Sequence, residues 1–407
     1  MADGSGAQGE RTEVFLDPDG FAASVERTCE AIRGEVFERG GALVRLVRSD
    51  GAPRADGAGF HPGEIMLARH TKESLRPVLA RCAVFRVPDG RRRNNEPGAR
   101  PPPDDLATSV LAAAGEGHFR VLRGVAQAPL MRPSGEIVRA PGYDELTRLW
   151  FDFPADALSG LPEAPTREDA EEAAGTILRV FEEFPFVSDD DRAVLLSAVL
   201  TCLLRPVLPG APLHGFDAPT PGTGKTLAAE LAAFPALGGQ PATLGLAAEE
   251  EFDKRITSAL LAGSPVALID NVSRPMASDW LCSVLTSSEV APRLLGTNDN
   301  RRLAVTSTFM ATGNNLTLRG DLVRRSVVCR LDAGIERPEQ RSFRTDVRRE
   351  VTRRRWELVR AALTILVAYQ AAGRPSPGAR VLGGFDAWCS SVCSATSLVG
   401  SRDIAGG

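Results

Sequence analysis

No stretch of this sequence is apolar for the roughly 18 to 20 residues that a membrane-spanning helix needs. Its first residues, Met1 to Asp19, are polar and glycine-rich without a signal-like apolar segment. A bilayer helix and a secretory leader are therefore not expected; the sequence reads as cytoplasmic, with a disordered tail over residues 1–20. An excess of positive charge is also missing. The 48 Lys and Arg against 52 Asp and Glu give a net charge of −4, which excludes a uniformly basic nucleic-acid binder but leaves room for a local basic channel. Histidine is scarce, and His61, His70, His118 and His214 stand apart from one another. Cysteine is scattered over Cys29, Cys82, Cys202, Cys282, Cys329, Cys389 and Cys393. Only the last two are close, and no second pair or adjoining His completes a zinc site, so the thiols read as reduced and buried. No internal repeat shows over residues 21–153.

What is present is a phosphate-binding signature. Ala218-Pro219-Thr220-Pro221-Gly222-Thr223-Gly224-Lys225-Thr226 is a Gly-rich turn that follows an apolar run and opens onto the helix former Leu227-Ala228-Ala229-Glu230-Leu231. Backbone N–H groups of Pro221-flanked Gly222, Thr223 and Gly224, with the positive end of the helix, suit a triphosphate. Lys225 suits its β- and γ-phosphates and Thr226 a Mg²⁺ ion. Pro219 stands where the pattern normally has Gly.

The composition, ordinary for a globular chain, divides along its length. An α+β unit is expected over residues 21–153. Its features are a hairpin around Gly40-Gly41, a helix capped by Thr71 with Ser74 at its third position, and a helix from Pro103 to Ala114 with acids in its first turn. Two strands joined by Pro133-Ser134-Gly135 lie within Phe119 to Ile137. Residues 154–206 read as a linker and helical collar, with helices capped by Thr166 and Ser188, the second burying one apolar face. Beyond Pro206, over residues 207–335, short apolar strands alternate with helices, the pattern of a parallel sheet with crossovers.

The strands carry the rest of the chemistry. Pro265 to Asp270 ends in a carboxylate placed to join Thr226 on Mg²⁺, which is the Walker B pattern. Asn271 follows it where many such ATPases have a Glu; an amide orients water but accepts no proton at neutral pH. That leaves Asp270 itself, a carboxylate such as Glu249, or no strong base. Thr308 to Thr312 leads to Gly313-Asn314-Asn315, and Arg324-Arg325 precede the last strand, Ser326 to Leu331. A helix from Trp280 to Val290 and then a hairpin over Leu294 to Val305, with Arg301 and Arg302 near its tip, come before the fourth strand. A long helix is expected from Arg344 to Ala372, bearing Arg348, Arg349, Arg353, Arg354 and Arg355 and entered through Arg337 and Arg341. Over residues 336–407 a helical segment thus follows, with Cys389 to Gly407 reading as a frayed or truncated end.

The order of P-loop, Leu268-Ile269-Asp270-Asn271-Val272, Ala311-Thr312-Gly313-Asn314-Asn315-Leu316 and Gly320-Asp321 to Arg325 resembles an AAA+ ATPase. It looks most like the superfamily 3-like helicases and primase-helicases that replicate phages, plasmids and integrative elements. The resemblance implies an AAA+ P-loop NTPase core of five parallel strands with flanking helices, between the α+β domain with its collar and the helical C-terminal segment. It implies ATP and Mg²⁺ as cofactors, catalytic roles for Lys225, Asp270, Asn271, Asn314 (sensor 1) and Arg324 or Arg325 (arginine finger), and a ring, by analogy a hexamer. Arg301 or Arg302 would then meet DNA, single-stranded, in the pore, and a primase or another replication protein would be a further partner. The implied activity is an ATP-dependent helicase or replication initiator of a mobile genetic element. An AAA+ switch or scaffold that remodels or recruits proteins without unwinding DNA is the alternative.

Overall fold

Five short strands downstream of Pro206 pair in one parallel sheet: β1 (Leu213–Ala218), β2 (Ala242–Gly245), β3 (Val266–Val272), β4 (Thr308–Asn314) and β5 (Ser326–Arg330). Their order across the sheet is β2-β3-β4-β1-β5. The computed structural model describes residues 11–16, 20–49, 63–87, 98–292, 302–341, 344–375 and 382–400. The chain divides into two compact units, Met1–Val47 with Leu67–Leu122, and Arg48–Met66 with Arg123–Gly407. That division falls upstream of the Phe153 boundary expected from sequence. Among the described residues no helix is long and apolar enough to cross a membrane.

In the first unit, strand Thr12–Phe15 lies parallel to Ala83–Val87, and helices Phe21–Ile32, Lys72–Cys82 and Asp104–Ala112 supply a core around Ile32, Leu75, Leu79, Phe85 and Leu106. Phe37–Arg39 pairs antiparallel with Ala42–Arg48. Gly40 and Gly41, both at positive φ (54° and 65°), turn the hairpin between them, a conformation glycine enters without a Cβ penalty. The Thr71 hydroxyl accepts from the Ser74 N–H, and the Ser74 hydroxyl accepts from the Thr71 N–H.

In the second unit, Gly124–Ala126, Leu149–Phe151 and Gly142–Asp144 form a small sheet. The strands anticipated over Phe119 to Ile137 are shorter than expected. Arg120–Val121 pairs with Phe37–Glu38 in the first unit, and in the second Gly124–Ala126 is followed by a bridge between Met131 and Ile137 around the Pro133–Gly135 turn. Helices α1 (Arg167–Val180) and α2 (Asp189–Leu204) are capped by Thr166 and Ser188, each accepting from a backbone N–H three residues on. Helix α2 departs from the one-faced reading, because every residue from Ala193 to Leu204 is buried. Its second face is covered by the C-terminal segment, in which Trp388 donates to Thr201 Oγ1 at 2.8 Å. Residues 386–398 are thus packed helix, Trp388, Val392 and Ala395 being fully buried. Sequence alone suggested a frayed end there because the apolar positions, squeezed into a π-type turn at Cys389–Cys393, do not keep the α-helical period.

Trp388 also meets the first strand of the sheet. Its ring lies edge-on to His214, centroids 6.0 Å apart, and His214 Nε2 is 3.1 Å from Ser197 Oγ on α2. Burial pushes the His214 imidazole down to about 3. The unfolded chain takes up this proton near pH 6.5 and the folded chain does not until about 3, so the contribution of neutral His214 is complete above pH 6.5 and is lost as pH falls below it. Urea denaturation at pH 5 is expected to show about 2 kcal/mol less stability than at pH 7 from this group; His214→Asn flattens that slope.

Two helices differ from expectation. Helix α5 covers only Asp279–Leu285, with α3 (Lys225–Leu237) and α4 (Glu249–Ala262) preceding it. The Thr286 hydroxyl bonds back to Cys282 O at 3.0 Å, and Ser287-Ser288 end the turn, serine being a poor helix former that competes for backbone groups. Glu289–Val290, assigned to the helix from sequence, instead pairs antiparallel with Leu303–Ala304. The hairpin's first arm therefore begins earlier than Leu294, and its centre at 293–301 lies outside the described residues. The long helix expected from Arg344 to Ala372 is two, α6 (Val347–Arg353) and α7 (Arg355–Ala371). They meet at Arg354 (φ −99°, ψ 11°), whose guanidinium holds Glu350 behind it and Glu357 ahead. The break lets Arg355 reach Gln127 O at 2.7 Å and Pro235 O at 3.2 Å, the latter in the last turn of α3.

Candidate functional site

Strand β1 is buried on both faces, as a central parallel strand must be, and delivers the chain to a loop whose Gly222 (φ 77°) and Gly224 (φ 98°) adopt backbone that L side chains resist. Thr223 Oγ1 donates to Thr220 O at 2.8 Å and closes the loop on itself. Helix α3 starts at Lys225, so its unpaired N–H groups and positive dipole end face the loop. The loop is braced from outside: a Cβ on Gly222 would stand 3.0 Å from the Glu339 backbone N, and one on Gly224 would stand 3.4 Å from the Phe184 ring.

Because β4 lies between β1 and β3, the carboxyl ends of three adjacent strands deliver their side chains to one place. Lys225 Nζ donates to Asn314 Oδ1 at 2.6 Å. Thr226 Oγ1 donates to Asp270 Oδ1 at 2.9 Å. Lys225 is 8% exposed; burial pushes its ammonium down, and the charges of Asp270 and Asp217 oppose that shift. Among the described residues no three His, Cys, Asp or Glu side chains cluster to hold a metal. Thr226 and Asp270 offer two oxygens, a donor set that suits Mg²⁺ completed by phosphate oxygens and water.

Asn271 is set apart by its backbone. The β3–β4 ladder pairs Ile269 with Ala311 and then Val272 with Gly313, so β3 carries one extra residue at Asp270-Asn271. Asn271 takes φ 54° in this bulge and its side chain is exposed. Asn is one of the few residues that enter the left-handed region readily, so the amide where a general base was sought is explained by local conformation. Asn271→Glu is expected to cost about 1–2 kcal/mol in thermal or urea unfolding without raising nucleotide turnover, whereas Asn271→Gly stays near wild-type stability. Glu249, the other carboxylate considered as a base, is exposed in the first turn of α4.

Two residues of this constellation escape sequence reading. Thr312, fully buried, donates to Asp270 Oδ1 at 2.6 Å and accepts from the Asn271 N–H at 3.0 Å. Strand alternation puts it on the same face as Asn314, which is the signal that would have found it. Asp217, at the end of β1, accepts from the Leu316 N–H at 2.7 Å and so anchors the turn after β4, where Asn315 takes φ 53°.

Comparison with known proteins gives distant likenesses only. No family model matches the chain and no curated protein matches it. Among solved structures, the apo NrS-1 C-terminal region is 10% identical with a TM-score of 0.37, over 88% of this chain and 71% of that one. The SCCmec type IV Cch active helicase is 12% identical with a TM-score of 0.32, over 90% of this chain and 74% of that one. The JCV helicase is 14% identical with a TM-score of 0.24, over 60% of this chain and 69% of that one. Such scores are too low to transfer a role to this chain.

The remaining candidates are arginines. Arg324 and Arg325 close a short 3₁₀ turn, Gly320–Arg325, before edge strand β5. The Arg324 side chain is 67% exposed and holds Asp321; that of Arg325 is 19% exposed and reaches both Asp321 and Cys282 O. Arg302 is exposed at the start of the hairpin's second arm, and Arg301 lies outside the described residues. Several arginines of the C-terminal helices are engaged locally: Arg348 with Glu230, and Arg353 with Glu350. Arg341 donates to Glu183 O at 2.5 Å.

Proposed function

We propose that this chain is a Mg²⁺-dependent ATPase of the AAA+ type that acts on DNA as a helicase or replication initiator of a mobile genetic element. The observation that carries this reading is the convergence of Lys225, Thr226, Asp270 and Asn314 within hydrogen-bonding distance at the ends of three adjacent parallel strands. In this reading the loop from Pro221 to Thr226 cradles the triphosphate, and Lys225, released from Asn314, neutralises its β- and γ-phosphates. Thr226 and Asp270 hold Mg²⁺, which supplies charge neutralisation between the phosphates. Asn314 and Asn271 orient the attacking water; neither takes its proton. Arg324, exposed on the edge of the sheet, completes the site of a neighbouring subunit in a ring, for which a hexamer is the proposed form. Arg301 and Arg302 face single-stranded DNA in its pore, and a primase or another replication protein is a further proposed partner.

ATP turnover with and without single-stranded DNA tests this, for the wild type and for Arg301→Ala with Arg302→Ala. Stimulation by DNA in the wild type that is lost in the double variant is the expected result. A chain that hydrolyses ATP well but ignores DNA removes the helicase and leaves the switch or scaffold ATPase.

A further inference from the structure

Thr312 faces an irregularity in the sheet. It is paired with Phe216 on β1, and on its other side β3 bulges out between Ile269 and Val272. A bulge interrupts the ladder and leaves a backbone donor to be satisfied by other means. Here the Thr312 hydroxyl substitutes for the missing carbonyl, accepting from the Asn271 N–H at 3.0 Å. Its single hydrogen goes to Asp270 Oδ1 at 2.6 Å. A hydroxyl has one hydrogen and two lone pairs, so this one buried oxygen fixes both the residue that carries the carboxylate and the residue after it. Asp270 Oδ1 receives a second donor from Thr226 Oγ1 at 2.9 Å. With two hydroxyls on one oxygen the carboxylate cannot rotate freely, and Oδ2 is the oxygen that neither hydroxyl engages.

The need for a hydroxyl is specific. Valine has the same branched shape and suits a strand equally well. In place of Thr312 it would leave the Asn271 N–H without its acceptor and Asp270 Oδ1 with one donor instead of two. A backbone donor that loses its partner in this part-buried bond costs free energy.

We infer that Thr312 is a positioning residue of the metal-nucleotide site, its hydroxyl setting the rotation of the Asp270 carboxylate toward Thr226 and holding the Asn271 bulge in place. The inference rests on the reading of this loop as a Mg²⁺-nucleotide site and assigns the orientation of its acidic ligand to a residue outside the loop and outside the acidic strand.

The test is equilibrium binding of ATP to the full chain with excess Mg²⁺ and with EDTA, for wild type, Thr312→Val and Thr312→Ser, with urea unfolding of each. The expected result is that Thr312→Val loses about tenfold or more of the Mg²⁺-dependent gain in affinity, the size usual for partners that orient a metal ligand. Binding in EDTA is expected to be unchanged, and Thr312→Ser to recover most of the loss. Equal loss in Thr312→Ser and Thr312→Val, or full Mg²⁺ dependence in Thr312→Val, overturns the inference. Wild-type chain that binds no ATP overturns the nucleotide-site reading and this inference with it; wild-type binding with an unaffected Thr312→Val overturns this inference alone. A measurement on the wild type covers a Thr312→Val chain that does not fold. Hydrogen exchange over Ile269 to Val272 without nucleotide is expected to show a protected Asn271 amide, and free exchange at that amide overturns the inference.

Discussion

Arg324→Ala is expected to lower ATP turnover by about 10³-fold, the scale at which an arginine stabilises phosphoryl-transfer charge, while ATP binding by the chain is retained. The Arg324 guanidinium is two-thirds exposed and rests on Asp321 through bonds of 3.0 and 2.8 Å. An ion pair at the surface is worth little, so this arginine is readily exchanged from carboxylate to phosphate. Arg325 is tied inward by a 3.2 Å bond to Cys282 O, and Arg325→Ala is expected to act mainly on stability, by about 1–2 kcal/mol. Mixing Arg324→Ala with Lys225→Ala gives the decisive measurement. Each protein is inactive alone, but a site combining the intact loop of one with the intact Arg324 of the other restores turnover. No recovery on mixing, or wild-type turnover by Arg324→Ala alone, rejects the shared site.

The second large effect concerns stability. Trp388→Ala is expected to destabilise the chain by about 3–5 kcal/mol in urea unfolding, the range for removing a large buried aromatic. Trp388 is fully buried, donates to Thr201 on α2 and abuts His214 on β1. Its removal opens a cavity where three parts of the unit meet. Trp388→Phe keeps most of the apolar volume and loses the indole N–H, so a loss of about 1–2 kcal/mol is expected. A change below 1 kcal/mol for Trp388→Ala would mean that the C-terminal segment does not pack on α2.

The contrast between these two residues shows what the sequence made legible. Arg324 or Arg325 stands out as a candidate because motif spacing along alternating strands and helices is a local property, and the same spacing marks the loop, Asp270 and Asn314, which the fold brings together. Caps at Thr71, Thr166 and Ser188 were legible for the same reason, since a side chain bonding three residues ahead leaves its mark in a short window. Trp388 was passed over because its partners are remote in sequence and its helix has a π-type turn that disrupts periodicity. The bulge at Asp270-Asn271 was hidden as well. The motif exposed an unusual Asn but not the φ of 54° that makes Asn suitable there. Thr312 fell between the two cases: the alternation that pairs it with Asn314 was visible, and the carboxylate it serves was on another strand.

Gly238 ends helix α3 at φ 67°, and a Cβ there would collide with the Arg355 guanidinium. Arg355, its charge set against the negative end of the α3 dipole, also binds the Pro235 carbonyl. The helix that begins at the phosphate loop is therefore clamped at its far end, about 20 Å away at 1.5 Å per residue. Arg355 stands at the start of α7, so the helix that opens at the Gly222–Lys225 loop is tied at its other end to the junction of α6 and α7.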